Sequence, residues 1–166
     1  MSITTLRLAA LAAAFTLAAA PAFALKVSKS VQVTADPGKT WVAVKDFGGL
    51  HKWHPAVENT EIKSGGDNKV GTVRELSLKG GGKITETLTA YSSKRHSLSY
   101  HIEDSPLPVA DYNSTIAVKP GKAGKSTVVW SSTFKAKQGS TDAEAKKVIE
   151  GIYDAGLGNL QKQLGG

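Results

Sequence analysis

Two periodicities of apolar residues divide the chain beyond residue 25. Through residues 27–136 apolar and polar side chains mostly alternate, which is typical of β-strands with one buried face. From Thr141 to Leu164 apolar residues recur at three- and four-residue steps, which predicts one long amphipathic helix. Thr141 or Asp142 can cap the start of this helix, and Gly165 follows its predicted end.

Clusters of glycine, proline and serine divide the alternating region into about seven strands. The predicted strands cover residues 27–33, 58–63, 70–78, 83–91, 98–103, 110–118 and 126–136. Between the first two strands, Asp36 can cap a short helix that has Pro37 at its first position. Residues 50–57 predict a second short helix or turn, whose length Pro55 limits.

This order of elements predicts a single α+β domain over residues 25–166. Strands joined by hairpins form an antiparallel sheet, and the apolar face of that sheet must be buried against another element. The C-terminal helix is the only predicted element with the length and the apolar stripe to cover it. We therefore expect a strongly curved sheet wrapped around the long C-terminal helix, with the two short helices closing one end.

Glycines interrupt the predicted C-terminal helix at three positions. Gly151, Gly156 and Gly158 each cost about 1 kcal/mol relative to alanine in a helix interior. A helix that gives up this stability needs space on one face, because filled cores prefer larger residues. We interpret the glycines, and Gly156 above all, as the floor of a pocket between helix and sheet.

The predicted hairpin over residues 70–91 indicates which side chains face the helix. A turn centred on Gly81 places Leu76 opposite Glu86, and Arg74 and Glu86 then become diagonal neighbours. Both share a face with Leu78, Ile84 and Leu88. Since most residues of this face are apolar, we predict that it is the inner one, and that Arg74 and Glu86 either pair with each other or meet a ligand group.

The same alternation on the later strands gives an inner surface of mixed polarity, for which two interpretations remain open. In the structural one, a buried Arg–Glu pair and tyrosine hydroxyls satisfy one another inside a filled core. In the functional one, the polar groups line a mostly apolar ligand cavity. The residues predicted for that cavity are Trp53, His54, Arg74, Leu76, Glu86, Leu88, Tyr100, Ile102, Tyr112, Ser114, Trp130, Ser132, Tyr153, Gly156 and Leu157.

Catalytic and metal-binding patterns are weak in this sequence. There is no G-x-S-x-G nucleophile motif. His51 and His54 share a helical face, but no carboxylate pattern accompanies them, and the simpler interpretation leaves both exposed beside Trp53. We expect no metal and no cofactor. The one catalytic alternative uses His54 with Glu86 or Tyr100 as general acid and base, which requires burial to tune their pKa values.

The first 24 residues have the pattern of a cleaved export signal. Arg7 precedes the apolar run 8–20, and Ala22-Phe23-Ala24 is a small-x-small cleavage site. The alternative, an uncleaved membrane anchor, is less favoured because the run is short for a span of about 20 residues. The sequence contains no cysteine, which excludes disulfides and thiolate metal sites. We expect cleavage after Ala24, a periplasmic location and no membrane association of the mature chain.

Charge adds one expectation about partners. Of the 21 basic residues, Arg7 lies in the predicted signal, so 20 basic and 14 acidic residues remain, a net charge of +6. A basic surface keeps a protein soluble, and it also speeds association with an acidic protein partner or an anionic surface. No basic stripe with interleaved aromatic residues occurs, so we expect no nucleic-acid partner.

The order of elements, together with an ordered set of short motifs, resembles the SRPBCC superfamily. This superfamily includes the birch-pollen-allergen-like, START-like and polyketide cyclase/dehydrase-like proteins. The matching segments are Trp53-His54-Pro55, residues 71–76, Glu86-Thr87-Leu88, residues 98–102, residues 105–109, Val129-Trp130 with Phe134, and residues 156–160. With the export signal, the chain looks most like the periplasmic MxaD-like branch.

The resemblance implies a helix-grip fold with a cavity between the sheet and the C-terminal helix. It further implies that the cavity holds a small apolar or amphipathic molecule. An MxaD-like protein would support a periplasmic dehydrogenase–cytochrome system. The alternative that the resemblance leaves open is a cyclase/dehydrase-like enzyme using Glu86, Tyr100 or His54.

Overall fold

The computed structural model describes residues 24–166, so the predicted signal, apart from Ala24, lies outside the described residues. Seven strands and two α-helices occur within this described range. The strands are β1 (Leu25–Val33), β2 (Val57–Ser64), β3 (Val73–Leu78), β4 (Lys83–Ser92), β5 (Ser97–Asp104), β6 (Val109–Pro120) and β7 (Ser126–Ala136). The helices are α1 (Pro37–Val44) and α2 (Asp142–Leu164), with 3₁₀ turns at Phe47–Lys52 and Lys122–Gly124.

All seven strands form one antiparallel sheet in the order β1-β7-β6-β5-β4-β3-β2. Consecutive strands are neighbours from β2 to β7, and β1 pairs with β7, so β1 and β2 are the two edges. Helix α2 packs against the inner face of the sheet. The predicted fold class, an antiparallel sheet that grips a long C-terminal helix, is confirmed.

Helix α2 contacts the β1 edge of the sheet and the segment that leads into β2 at the other edge, so the sheet curves around it. At the β1 edge, Lys29 Nζ lies 3.1 Å from Asp154 Oδ2. On the other side, Asn159 Nδ2 donates to the carbonyl of Trp53 at 2.9 Å, just before β2 begins. A single helix can reach both edges of a seven-stranded sheet only if the sheet wraps around it.

The helix caps follow from the residues that precede each helix. Asp36 Oδ1 accepts a hydrogen bond from the Lys39 backbone N–H at 3.0 Å, and Pro37 occupies the first turn of α1. In α2, Thr141 and Glu144 form a reciprocal capping box. The start of each helix therefore agrees with the sequence prediction.

The predicted register of the β3–β4 hairpin is wrong by two residues. Leu76 pairs with Ile84 and Arg74 pairs directly with Glu86. The turn is centred on Gly80 and not on Gly81, because the Leu78 backbone N–H bonds to the Gly82 carbonyl at 3.0 Å. A shift of two residues leaves every side chain on its predicted face, so the inner face is unchanged.

Two predicted element boundaries also differ from the structure. The strand predicted from residue 70 begins only at Val73, because Gly71 has a φ of 90° in the preceding turn. The second short helix covers Phe47–Lys52 and not residues 50–57. Asp46 caps it by accepting a hydrogen bond from the Gly48 backbone N–H at 3.1 Å.

Candidate ligand-binding cavity

A cavity of about 260 Å³ lies between the inner face of the sheet and the first half of α2. Its walls are mainly aliphatic, with Leu76, Ile84 and Ile102 on the sheet side and Ile149 and Ile152 on the helix side. The lining also includes the exposed residues Ala56, Lys79 and Gly81, which mark the side that opens to solvent. A mostly apolar space with a few polar groups has the composition of small-molecule sites.

About half of the predicted cavity residues line this space. They are His54, Leu76, Glu86, Tyr100, Ile102, Tyr112 and Trp130. The structure places the other eight outside this cavity, in the packed core: Trp53, Arg74, Leu88, Ser114, Ser132, Tyr153, Gly156 and Leu157. Facing inward was therefore predicted correctly, but facing inward does not by itself place a residue at the cavity.

Eleven further residues line the cavity without having been predicted to do so. They are Leu50, Ala56, Val57, Leu78, Lys79, Gly81, Ile84, Leu107, Val148, Ile149 and Ile152. The sequence pattern did indicate some of them. Leu78 and Ile84 belong to the predicted inner face of the sheet, and Val148, Ile149 and Ile152 belong to the apolar stripe of the helix. The loop residues follow no periodicity, so the sequence carries no comparable signal for them.

The expectation of open space at Gly156 is wrong. A Cβ atom added there would lie 2.6 Å from Cδ2 of His54 and 2.9 Å from the ring of Trp130. Gly156 is buried and leaves room for two side chains, not for a ligand. Gly151 and Gly158 have no such neighbours, since a Cβ atom at either would meet nothing within 4 Å.

His54 uses the space at Gly156 to reach the backbone of α2. Its Nε2 lies 3.0 Å from the carbonyl oxygen of Ile152, and its Nδ1 accepts a hydrogen bond from the Ala56 backbone N–H at 3.2 Å. Because Nδ1 is an acceptor, the proton lies on Nε2, which donates to Ile152. The side chain is buried, which corrects the expectation that it would be exposed beside Trp53.

Burial lowers the pKa of His54, and the nearby positive charge of Arg74 acts in the same direction. The hydrogen bond to the Ile152 carbonyl opposes both effects. A neutral imidazole fits the geometry, because a second ring proton would point at the Ala56 N–H. Nε2 therefore holds the segment before β2 against α2, and Nδ1 bonds within that segment, which leaves neither nitrogen free for proton transfer to a ligand.

We expect this lowered pKa to make stability fall at acid pH. The unfolded chain binds a proton on His54 near the ordinary pKa of 6.5, whereas the folded chain binds it only at lower pH. Stability present above pH 6.5 is therefore lost as the pH falls below it, by at most about 1 kcal/mol between pH 7 and pH 5.5. Urea unfolding at both pH values measures the loss, which should be smaller in His54→Gln. The other histidines are common to both proteins, so equal losses would contradict the assignment.

Glu86 and Arg74 form a buried ion pair, as the structural interpretation predicted. Arg74 Nε and Nη2 each lie 2.6 Å from Glu86 Oε2, and Nη1 donates to the carbonyl of Phe47 at 2.6 Å. The guanidinium also lies 4.0 Å from the centroid of the Phe47 ring. Burial raises the pKa of Glu86, and Arg74 opposes that rise. Of the pair, Glu86 alone lines the cavity.

Polar side chains next to the ion pair form hydrogen bonds with one another. Trp130 Nε1 donates to the hydroxyls of Tyr100 and Ser114, each at 3.0 Å. The hydroxyl of Tyr153 bonds to those of Tyr112 and Ser114. The Tyr153 ring stacks on Trp130 with centroids 4.3 Å apart. This network fills one part of the interior that the prediction assigned to a ligand, and burial raises the pKa of all three tyrosines.

No cluster of three or more histidine, aspartate or glutamate side chains suited to a metal ion occurs within residues 24–166. His54 is hydrogen-bonded to the Ile152 carbonyl, so it does not form a metal site with His51, which the weak pattern in the sequence allowed. None of the helices in the described part of the chain is long and apolar enough to cross a membrane.

The fold and the cavity define a helix-grip protein. The family model described as polyketide cyclase/dehydrase and lipid transport matches residues 24–165, and the chain belongs to this family. The SRPBCC resemblance is thereby confirmed at the level of the family. The comparisons do not single out its MxaD-like branch.

Solved structures agree with this assignment. Protein XoxI from Bacillus cereus is 32% identical, with a TM-score of 0.78 and coverage of 84% of this chain and 94% of that one. An uncharacterised protein from Bacillus thuringiensis is 31% identical, with a TM-score of 0.78 and coverage of 84% and 98%. The ZhuI aromatase/cyclase from Streptomyces sp. R1128 has a TM-score of 0.70 and coverage of 86% and 94%. At 18% identity that likeness shows the fold alone.

Proposed function

We propose that this protein binds a small apolar or amphipathic molecule in the cavity between the sheet and α2. The observation that carries the proposal is an aliphatic cavity that opens to solvent and contains one buried carboxylate, that of Glu86. Membership of a family described by polyketide cyclisation and lipid transport supports it. The apolar walls would supply affinity, and the polar groups would orient the ligand.

The size of the cavity limits the class of ligand. A volume of about 260 Å³ lies just below the range of roughly 300–1,000 Å³ for small-molecule sites. We therefore expect a molecule of one to three rings, or a short aliphatic chain, and not a lipid with long acyl chains.

Titration with N-phenyl-1-naphthylamine tests the proposal. This neutral aromatic amine fluoresces more strongly in apolar surroundings. At about 0.4 kcal/mol for each of its roughly 17 non-hydrogen atoms, the expected Kd is on the order of 10 μM. Ile102→Trp should weaken binding by about tenfold or more, because the larger side chain occupies space in the cavity.

The matched control is Ile62→Trp. Ile62 is also a half-buried isoleucine of the sheet, but it does not line the cavity. We expect its Kd to stay within about twofold of the wild-type value. Equal effects of the two substitutions, or no saturable binding to the wild type, would reject the cavity as the binding site.

We also propose that the protein acts after export, as an accessory to periplasmic proteins in the manner of the MxaD-like branch. The signal-like pattern of residues 1–24 and the basic chain that follows support this role. Mass spectrometry of the protein purified from periplasm should give a chain that begins at Leu25. A full-length chain recovered with the cytoplasmic fraction would contradict export.

A cyclase/dehydrase-like enzyme is the second candidate. One observation favours it, since the carboxyl group of Glu86 lines the cavity and could exchange a proton with a ligand there; burial raises the pKa of this group and Arg74 opposes the rise. Turnover of small polyketide-like aromatic substrates by the wild type, lost in Glu86→Asp with N-phenyl-1-naphthylamine binding retained, would support this role. Absence of turnover by the wild type across such substrates would count against it.

A further inference from the structure

Three exposed segments meet at the end of the sheet that lies away from the cavity mouth. They are residues 34–45, which include α1, the β4–β5 turn at 92–97 and the β6–β7 loop at 118–126. We call this surface the basic end. The cavity opens near the β3–β4 turn, where Lys79 and Gly81 lie, at the opposite ends of the strands.

Direct contacts hold the three segments together. The Val118 backbone N–H donates to the carbonyl of His96 at 2.9 Å, which joins the β6–β7 loop to the β4–β5 turn. The ring of Trp41 on α1 stacks on His96 with centroids 5.6 Å apart. Thr40 Oγ1 lies 3.2 Å from Ser126 Oγ, which joins α1 to the start of β7. The basic end is therefore one continuous surface.

The whole net charge of the chain after residue 24 is located at the basic end. Its three segments hold seven basic residues and one acidic residue, Asp36. The chain after residue 24 has 20 basic and 14 acidic residues, so thirteen of each sign remain elsewhere and cancel. The basic residues are Lys39, Lys45, Lys94, Arg95, Lys119, Lys122 and Lys125.

Side-chain ion pairs within the described residues neutralise little of this charge. The weak 3.9 Å pair of Lys39 with Asp36 is the only salt bridge that the basic end makes there. Asp46, just beyond α1, pairs with Lys52 at 3.0 Å. The neighbouring β2–β3 turn adds one acidic and one basic residue and leaves the balance unchanged.

An apolar residue lies among these positive charges. Val42 is 62% exposed on α1, and Lys39 and Lys45 flank it at three-residue steps on the same helix face. A membrane-surface helix needs a broad apolar face with large side chains. Helix α1 buries its one aromatic residue, Trp41, and exposes a single valine, so it lacks such a face.

We propose that the basic end docks onto the acidic face of a protein partner. Complementary charge would steer the encounter, and Val42 would supply a small apolar contact between Lys39 and Lys45. A partner bound there leaves the cavity mouth open. This inference rests on the accessory role proposed above, and it does not depend on ligand binding.

Binding of the purified protein to poly-L-glutamate, an acidic polypeptide, tests the location of the docking surface. The triple variant Lys119→Gln/Lys122→Gln/Lys125→Gln should bind about tenfold more weakly at low salt. The control Lys26→Gln/Lys146→Gln/Lys147→Gln removes the same net charge from exposed positions elsewhere. It should change the affinity by less than about twofold.

Two outcomes would overturn the proposal. Equal losses in the two triple variants would mean that net charge alone drives binding. Tighter binding to phosphatidylglycerol vesicles or duplex DNA, with the same sensitivity to the first variant, would assign the surface to a different class of partner. Both variants should keep the wild-type Kd for N-phenyl-1-naphthylamine, so docking and cavity binding are measured separately.

Discussion

Replacement of Glu86 by glutamine should destabilise the protein by about 3–5 kcal/mol. The side chain keeps its size but loses the negative charge that faces Arg74. In the wild type, Nε and Nη2 of Arg74 each lie 2.6 Å from Glu86 Oε2. The guanidinium is then buried without a counter-ion, since Arg74 is 2% exposed. Urea unfolding followed by circular dichroism measures the change, which should appear as a lower midpoint with an unchanged slope.

Two control variants separate the effect of burying the charges from the effect of pairing them. Lys83 and the half-buried Glu75 form a solvent-accessible pair at 2.7 Å on the other face of the same two strands, and Glu75→Gln should cost less than about 1 kcal/mol. The double variant Arg74→Met/Glu86→Leu removes both charges and should be more stable than Glu86→Gln alone. If Glu86→Gln costs no more than Glu75→Gln, the buried pair does not have the importance assigned to it here.

Replacement of Gly156 by alanine should destabilise the protein by about 1–3 kcal/mol, although alanine is the better helix former. The added Cβ atom would lie 2.6 Å from the His54 ring and 2.9 Å from the Trp130 ring, so both rings must move. Movement of His54 also weakens its hydrogen bond to the Ile152 carbonyl. Urea unfolding again measures the effect.

The same substitution five residues earlier is the matched control. Gly151 is exposed in the interior of α2, and an added Cβ atom would meet nothing within 4 Å. Gly151→Ala should therefore stabilise the protein by about 0.5–1 kcal/mol. Opposite signs at the two positions support close packing at Gly156. A stabilising Gly156→Ala would instead restore the interpretation of this glycine as open space.

The fold was predictable because its two periodicities are long and unambiguous. Alternation over residues 27–136 identified the strands, and the stripe of α2 identified the element that the sheet must cover. The hairpin register was missed because three consecutive glycines at 80–82 give no preference for the centre of the turn. The inner face survived that error, since the shift was an even number of residues.

The candidate site was predictable only in part. Strand parity placed Glu86, Tyr100 and Trp130 on the inner face, and all three line the cavity. It could not separate cavity walls from packed core, because that depends on how side chains of distant elements fill the interior. Tyr153 illustrates this limit, since it faces inward but is stacked on Trp130. Likewise, the sequence cannot distinguish a glycine that makes room for the His54 side chain from one that makes room for a ligand.

The central claim is that small molecules bind between the sheet and α2, and the isoleucine methyl groups report on it directly. Four isoleucines line the cavity: Ile84, Ile102, Ile149 and Ile152. Ile62 and Ile116 lie outside it. In an NMR titration of the isoleucine-methyl-labelled protein with N-phenyl-1-naphthylamine, the methyl signals of the four cavity isoleucines should shift and show nuclear Overhauser contacts to the ligand. The methyl signal of Ile62 should not shift. Saturable binding that leaves the four cavity methyl groups unchanged would contradict the claim.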